Sequence, residues 1–367
     1  MRAMEVSSPR DDPRGRALQD EAVAMARRVG DDGALLEAVA AQWNTPVGYR
    51  DREEWDAIFD ECLAVLGRTG DVGLEVSFLL SRRDMLLSMG SLAEADEVFE
   101  RVGRLDPSVL PAVPRWMIAN AVVGERLYRG AHDEAEPLIE QAVDLGQECG
   151  ALDAFAYYGN HMVFLRHQQG RSDEVVDLVA DQLATDPPGR IYWASALAML
   201  LAGCDRFAEA RALYREGVDG FPGHRYDVSY LPFAAGLAHL AADLDEPDRG
   251  AELLAGLVPY RGELAGWRSL STLGPVDLAT GRLLTLLDRP EEALEHLAAS
   301  ADICERGRLA PFLSMTRLAQ GDAAHALSDD EAARRWWTDA LDLGTAGDYR
   351  TTVRRASAAL ASLPALS

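Results

Sequence analysis

Apolar residues recur along this chain in stretches of helical period, separated by short breaks at Gly, Asp or Ser. Aligned on those breaks, the stretches repeat. The clearest segments are "GSLAEADEVFERV" from Gly90, "GAHDEAEPLIEQAVDLG" from Gly130 and "GRSDEVVDLVADQL" from Gly170. They continue with "DRFAEARALYREGVDG" from Asp205, "DRPEEALEHLAAS" from Asp288 and "SDDEAARRWWTDALDLG" from Ser328. Each has a turn residue, an acidic residue near a small one, and then an apolar stripe. The small-residue anchors Ala95, Ala135, Val175, Ala210, Ala293 and Ala332 are separated by 40, 40, 35, 83 and 39 residues. Ala251, in "DEPDRGAELLAGLVPY", fills the long gap. "DREEWDAIFDECLAVLG" and "RALQDEAVAMARRVG" extend the series toward the start, giving about eight repeats.

A second helical stretch lies upstream of each break, as in "PRWMIANAVVGERLYRG", "DAFAYYGNHMVFLRHQQG" and "GRIYWASALAMLLAGC". Two helices about one tight turn form a hairpin, which cannot bury both faces alone, so neighbouring hairpins must stack. The expectation is an all-α, right-handed superhelix of about eight hairpins, some sixteen antiparallel helices, with no stretch reading as a strand. Residues 1–16 read as a flexible leader, 17–361 as the repeat array and 362–367 as a tail. Trp336 or Trp337 is expected to pack on the terminal stretch "TTVRRASAALASL".

The turn followed by Glu-Ala, an aromatic or aliphatic residue and a small residue resembles the second half of a tetratricopeptide repeat. Two longer stretches, "YYGNHMVFLRHQQGRSDE" and "LGPVDLATGRLLTLLDRPEEALEHLAASADICERGRLAPFLSMTRLAQGD", are similar to the tetratricopeptide-like regions of large bacterial signal-transducing ATPases. Those regulators join an ATPase core to a LuxR-type helix-turn-helix or a nucleotide cyclase domain. The resemblance runs from about Ala17 to Asp322 and implies a regulatory array. The chain departs from the full family in having no Walker A motif, no cyclase domain and no DNA-reading module.

Composition narrows the chemistry. A net charge of −24 repels phosphate backbones and argues against direct nucleic-acid binding. The chain contains no lysine, which removes P-loop and Schiff-base chemistry. Cys62, Cys149, Cys204 and Cys304 stand far apart and read as reduced thiols. The seven histidines contain no HExxH pair, and His161 with His167 is wrongly spaced for helical metal ligands. No apolar run reaches the roughly 20 residues of a membrane span, and the first residues hold no signal-peptide core. A cytoplasmic protein without cofactor or metal is therefore expected.

Two features invite a specific reading. Gly274-Pro275 precedes a long helical stretch, with Gly as N-cap, Pro at the first helical position and Asp277 in the first turn. In the rival reading the helix begins near Trp267 and Pro275 kinks it. Both make the pair punctuation. The second feature is a register. Positions 13, 10, 6 and 3 residues before a turn share one helical face. Before Gly170 they are Tyr157, Asn160, Phe164 and His167; before Asp205 they are Tyr192, Ser195, Met199 and Ala202; before Gly130 they are Met117, Asn120, Gly124 and Leu127. Asn120, Asn160 and Ser195 would form a polar row on the concave face beside Tyr157 and Tyr192, suited to a peptide backbone or a polar small molecule. The expected function is a non-enzymatic protein-interaction or sensor module of a bacterial signalling or transcription-regulatory system. Its partner would be a protein or peptide in the groove, or a small-molecule effector. The alternative is a stand-alone small-molecule-binding protein or enzyme using that groove.

Overall fold

A computed structural model of the chain describes residues 13–42, 52–185, 190–220, 230–266 and 270–363. Most of the expected leader, Trp267, His224 and the last four residues lie outside them. The first helices are α1 (Pro13–Val29), α2 (Asp32–Gln42), α3 (Arg52–Thr69), α4 (Val72–Ser88), α5 (Leu92–Gly103) and α6 (Ala112–Arg129). The middle of the chain forms α7 (His132–Glu148), α8 (Ala154–Gln168), α9 (Val176–Thr185), α10 (Arg190–Gly203), α11 (Phe207–Gly220) and α12 (Tyr230–Leu244). Then follow α13 (Gly250–Leu257), α14 (Val276–Leu286), α15 (Pro290–Gly307), α16 (Ala310–Ala326), α17 (Asp330–Ala346) and α18 (Arg350–Ser362). The fold is all-α, and α1 takes in Pro13 to Arg16, which the sequence reading gave to the leader.

Every break read from the sequence is a left-handed helix cap. Gly90, Gly130, Gly170, Asp205, Asp288 and Ser328 all have positive φ. The residue after each donates its N–H five residues back: Ser91 to Leu86, Ala131 to Arg126 and Arg171 to Arg166, each at 2.8 Å. Arg206 to Leu201 and Arg289 to Leu284, both at 2.9 Å, and Asp329 to Ala324 at 3.0 Å repeat the pattern. This is the Schellman arrangement, which satisfies carbonyls the helix end would leave orphaned. Asp stands in place of Gly at four turns, since its short polar side chain tolerates this backbone: Asp205 and Asp288 above, and also Asp245 and Asp348.

The even-numbered helices touch one another in unbroken succession from α4 through to α18. Odd-numbered helices pack against the even-numbered ones beside them. Ala95, Ala135, Ala210 and Ala293 are fully buried, as their anchor role requires. Two anchors shift by one residue: Ala251 is exposed while Gly250 is buried, and Ala333 is more deeply buried than Ala332. Trp337 joins Ala356 and Leu363 in one apolar cluster, as expected of the terminal stretch.

The chain then closes on itself. Helix α5 meets α15, α6 meets α16, and α8 meets α18. Arg129 donates to the Gly307 carbonyl at 2.9 Å, Arg308 pairs with Asp96 at 3.3 Å, and Arg354 with Asp205 at 2.9 Å. The inner faces of α6 and α8 are consequently covered by the second half of the chain, and the open groove expected there is not available.

The expectation of no strand also needs correction. Strand β1 (Leu264–Gly266) pairs antiparallel with β2 (Thr272–Pro275). Segments this short carry too few alternations to show a period of two. Gly274 and Pro275 end β2, so Pro275, not Gly274, is the N-cap residue of α14, with extended backbone. Gly274 has φ +89°, and a Cβ there would lie 2.5 Å from the Phe312 ring. Asp277 is buried and accepts from Arg261 Nε at 2.7 Å and the Gly262 N–H at 2.6 Å.

Candidate functional site

A cavity of about 370 Å³ lies where the inner helices converge. Its walls come from α8, α10, α12, α14, α16 and α18, with Leu273 of β2 and Tyr349 just before α18. No odd-numbered helix contributes. Phe164, Met199, Phe312, Met315 and Leu318 form an apolar wall. The size and lining are those of a small-molecule site.

One ionic cluster stands on this wall. Asp243 of α12 is held by Arg282 of α14 and Arg355 of α18. Burial pushes the Asp243 carboxyl up, but the two guanidiniums outweigh it and hold it well below the usual carboxylate range. Arg282 also donates to His239 Nδ1 at 3.1 Å, so the proton of that ring sits on Nε2, which donates to the Leu273 carbonyl at 3.3 Å. Burial and the Arg282 charge push His239 down to about 3, leaving a neutral ring. Asp322 of α16 is oriented by Trp337, whose Nε1–H reaches Oδ1 at 2.9 Å. Its side chain is accessible although protein packs around it, so its accessible face is cavity surface; burial raises its pKa. His167 Nδ1 lies 3.3 Å from Ser172 Oγ, and burial lowers its pKa.

Of the residues given by register, Phe164, His167, Met199 and Ala202 line this cavity. Asn120, Asn160, Ser195, Tyr157 and Tyr192 do not. Asn120 is 2% exposed, its Nδ2 donating to the Trp116 carbonyl at 2.9 Å and its Oδ1 lying 3.2 Å from His161 Nε2. Burial pushes His161 down to about 4. Asn160 is half-buried and accepts from Ser271 Oγ at 3.0 Å. Ser195 is buried and donates to the Ile191 carbonyl at 3.1 Å, within its own helix. Tyr157 packs against Trp116 with ring centroids 5.0 Å apart, and Tyr192 against Phe233 at 5.3 Å. The polar row is thus a set of separately satisfied groups, because hairpin and helix contacts from distant sequence reach it.

Part of what that reading missed was within reach of the same rule. Six residues before the turns at Gly170, Asp205, Asp245, Asp288 and Ser328 stand Phe164, Met199, His239, Arg282 and Asp322. All five line the cavity. Applying the offset to the later turns adds His239, Arg282 and Asp322, but not Asp243 or Arg355.

Among the described residues no three His, Cys, Asp or Glu side chains gather as metal ligands would. No helix there is long and apolar enough to cross a membrane. The buried thiols of Cys62 and Cys304 are pushed up to about 12 by burial, which suits inert core residues. No known family model matches the chain, and no curated protein does.

Proposed function

We propose that this chain is a non-enzymatic sensor module that binds a small amphipathic molecule in the cavity between its inner helices. In this reading α2 to α17 pair as eight tetratricopeptide-like hairpins, wound into a right-handed superhelix and flanked by α1 and α18. The observation that carries the reading is the lining: six successive even-numbered helices each present residues to one cavity with an apolar wall and an ionic cluster. A ligand touching all six would bear on how hairpins far apart in sequence sit together, which is what a sensor requires. The resemblance to regulatory arrays suggests that occupancy is passed to a protein partner of a bacterial signalling or transcription-regulatory system.

Binding is favoured over turnover by the state of the polar groups. Asp243 is paired twice, His239 is fixed neutral by two contacts, and Thr352 is engaged by Ser314 at 3.3 Å. The His167 ring is engaged as well, its Nδ1 lying 3.3 Å from Ser172 Oγ. A peptide laid along the inner face is less well supported, because α16 and α18 cover α6 and α8.

A neutral environment-sensitive fluorophore tests the reading. It should bind the full chain at one site, and Ala319→Phe or Ala242→Phe, each filling the cavity from a different helix, should weaken it about tenfold or more. Fluorophore binding indifferent to both substitutions would refute the cavity as a ligand site.

A further inference from the structure

The charges on the cavity wall balance, but not all of them are paired. Arg282 and Arg355 share the single carboxylate of Asp243. Arg354, the third arginine of the lining, is held by Asp205 at 2.9 Å and by the Gly203 carbonyl at 3.3 Å. That leaves one surplus positive charge on the arginines and one carboxylate, Asp322, near enough to feel both Arg282 and Arg355. Asp322 has no ion-pair partner among the described residues; Trp337 takes one oxygen, at 2.9 Å. Arg355 keeps about a third of its side chain accessible at the cavity. Arg355 and Asp322 are therefore both open to a ligand, one offering N–H donors and the other an acceptor.

A ligand of net charge would upset this balance. A carboxylate would meet the arginines but leave the cluster with one excess negative charge beside Asp322; an ammonium would pair with Asp322 but leave one excess positive charge beside the arginines. An unbalanced charge in a largely apolar interior is costly. Resting on the sensor reading above, we propose that the ligand is an apolar molecule of zero net charge whose polar end carries both a donor, for Asp322, and an acceptor, for Arg355. A carboxamide is the simplest such group. Its apolar body would lie on Phe164, Phe312, Met199 and Met315.

Phenylbutanamide, phenylbutanoate and phenylbutylamine share one body and differ only in this end. Each is titrated against the full chain holding the fluorophore, near pH 7. The amide is expected to displace it at about tenfold lower concentration than either charged analogue. Asp322→Asn keeps an oxygen for the Trp337 N–H and removes one negative charge, so the acid should gain about tenfold relative to the amide. An acid or amine that binds the unaltered chain most tightly would overturn the proposal, as would a ranking that Asp322→Asn leaves unchanged. If the fluorophore occupies the cavity and none of the three displaces it, the ligand class is wrong and the sensor reading stands. If the fluorophore ignores the cavity-filling substitutions, the sensor reading itself fails.

Discussion

Gly274 and Gly150 share a left-handed backbone, φ +89° and +71°, yet they differ in what surrounds them. Around Gly150 nothing lies within 4 Å of an added Cβ; at Gly274 the Phe312 ring lies 2.5 Å away. Gly150→Ala should therefore cost only the backbone preference, about 1–2 kcal/mol. Gly274→Ala adds a steric conflict with a cavity residue and should cost about 1–3 kcal/mol more, with weaker fluorophore binding as well. Urea denaturation of the two variants checks the difference. Histidines set a second residue-scale expectation. His239 and His161 titrate near 3 and 4 in the folded chain, against 6.5 for an ordinary histidine, because burial disfavours their charged forms. Above pH 6.5 both states are neutral and nothing is lost. As the pH falls below that value the unfolded chain takes up protons that the folded chain refuses, so stability declines until the folded rings protonate near pH 3 to 4. At about pH 5 each should have removed up to about 2 kcal/mol. A denaturation midpoint that is flat from pH 7 to about pH 5 would contradict the neutral, buried rings.

Helices and turns were largely legible because their signals are local. A Gly or Asp cap, a small residue five positions later and an apolar stripe are all set within one hairpin, and the structure bears them out at Ala95, Ala135, Ala210 and Ala293. The two slips, Ala251 for Gly250 and Ala332 for Ala333, come from choosing the nearest alanine over a fixed offset from the turn. The distinction is measurable: Ala135→Leu should overpack its hairpin by about 1–3 kcal/mol, whereas Ala251→Leu, on an exposed position, should stay within about 0.5 kcal/mol. The candidate site was only half legible. Positions three and six before the turn do reach the interior at His167 and Phe164. Positions ten and thirteen before it do not line the cavity, since at ten Asn160 meets Ser271 and Asn120 meets His161, and at thirteen Tyr157 packs on Trp116 and Tyr192 on Phe233. Contacts made across a closing chain follow no local period, and neither do two strands of three and four residues.

Closure of the whole molecule rests on pairs of very different worth. Arg354–Asp205 joins side chains that are each about half exposed, and water screens such a pair down to about 0–1 kcal/mol. Asp243 is another matter, because it ties α12 to both α14 and α18 from a position only 17% exposed. Asp243→Ala would leave Arg282 and Arg355 without their shared ion-pair partner and with Asp322 alone to offset two charges, and removing one partner of a buried pair costs about 3–5 kcal/mol. The loss should also be localised. Helix α18 is the last of the described helices and reaches α8 at Thr351, whose hydroxyl lies 3.5 Å from the His167 carbonyl. Hydrogen exchange in Asp243→Ala should therefore accelerate in α18 and the end of α16, while α4 to α7, which share no contact with the cluster, keep their protection. Asp205→Ala should leave both regions nearly unchanged. Uniform loss of protection across the chain in Asp243→Ala would mean that the array unfolds as one unit. Selective loosening of α18 would identify it as the element that closes the cavity. It would then be the helix whose position ligand binding can govern.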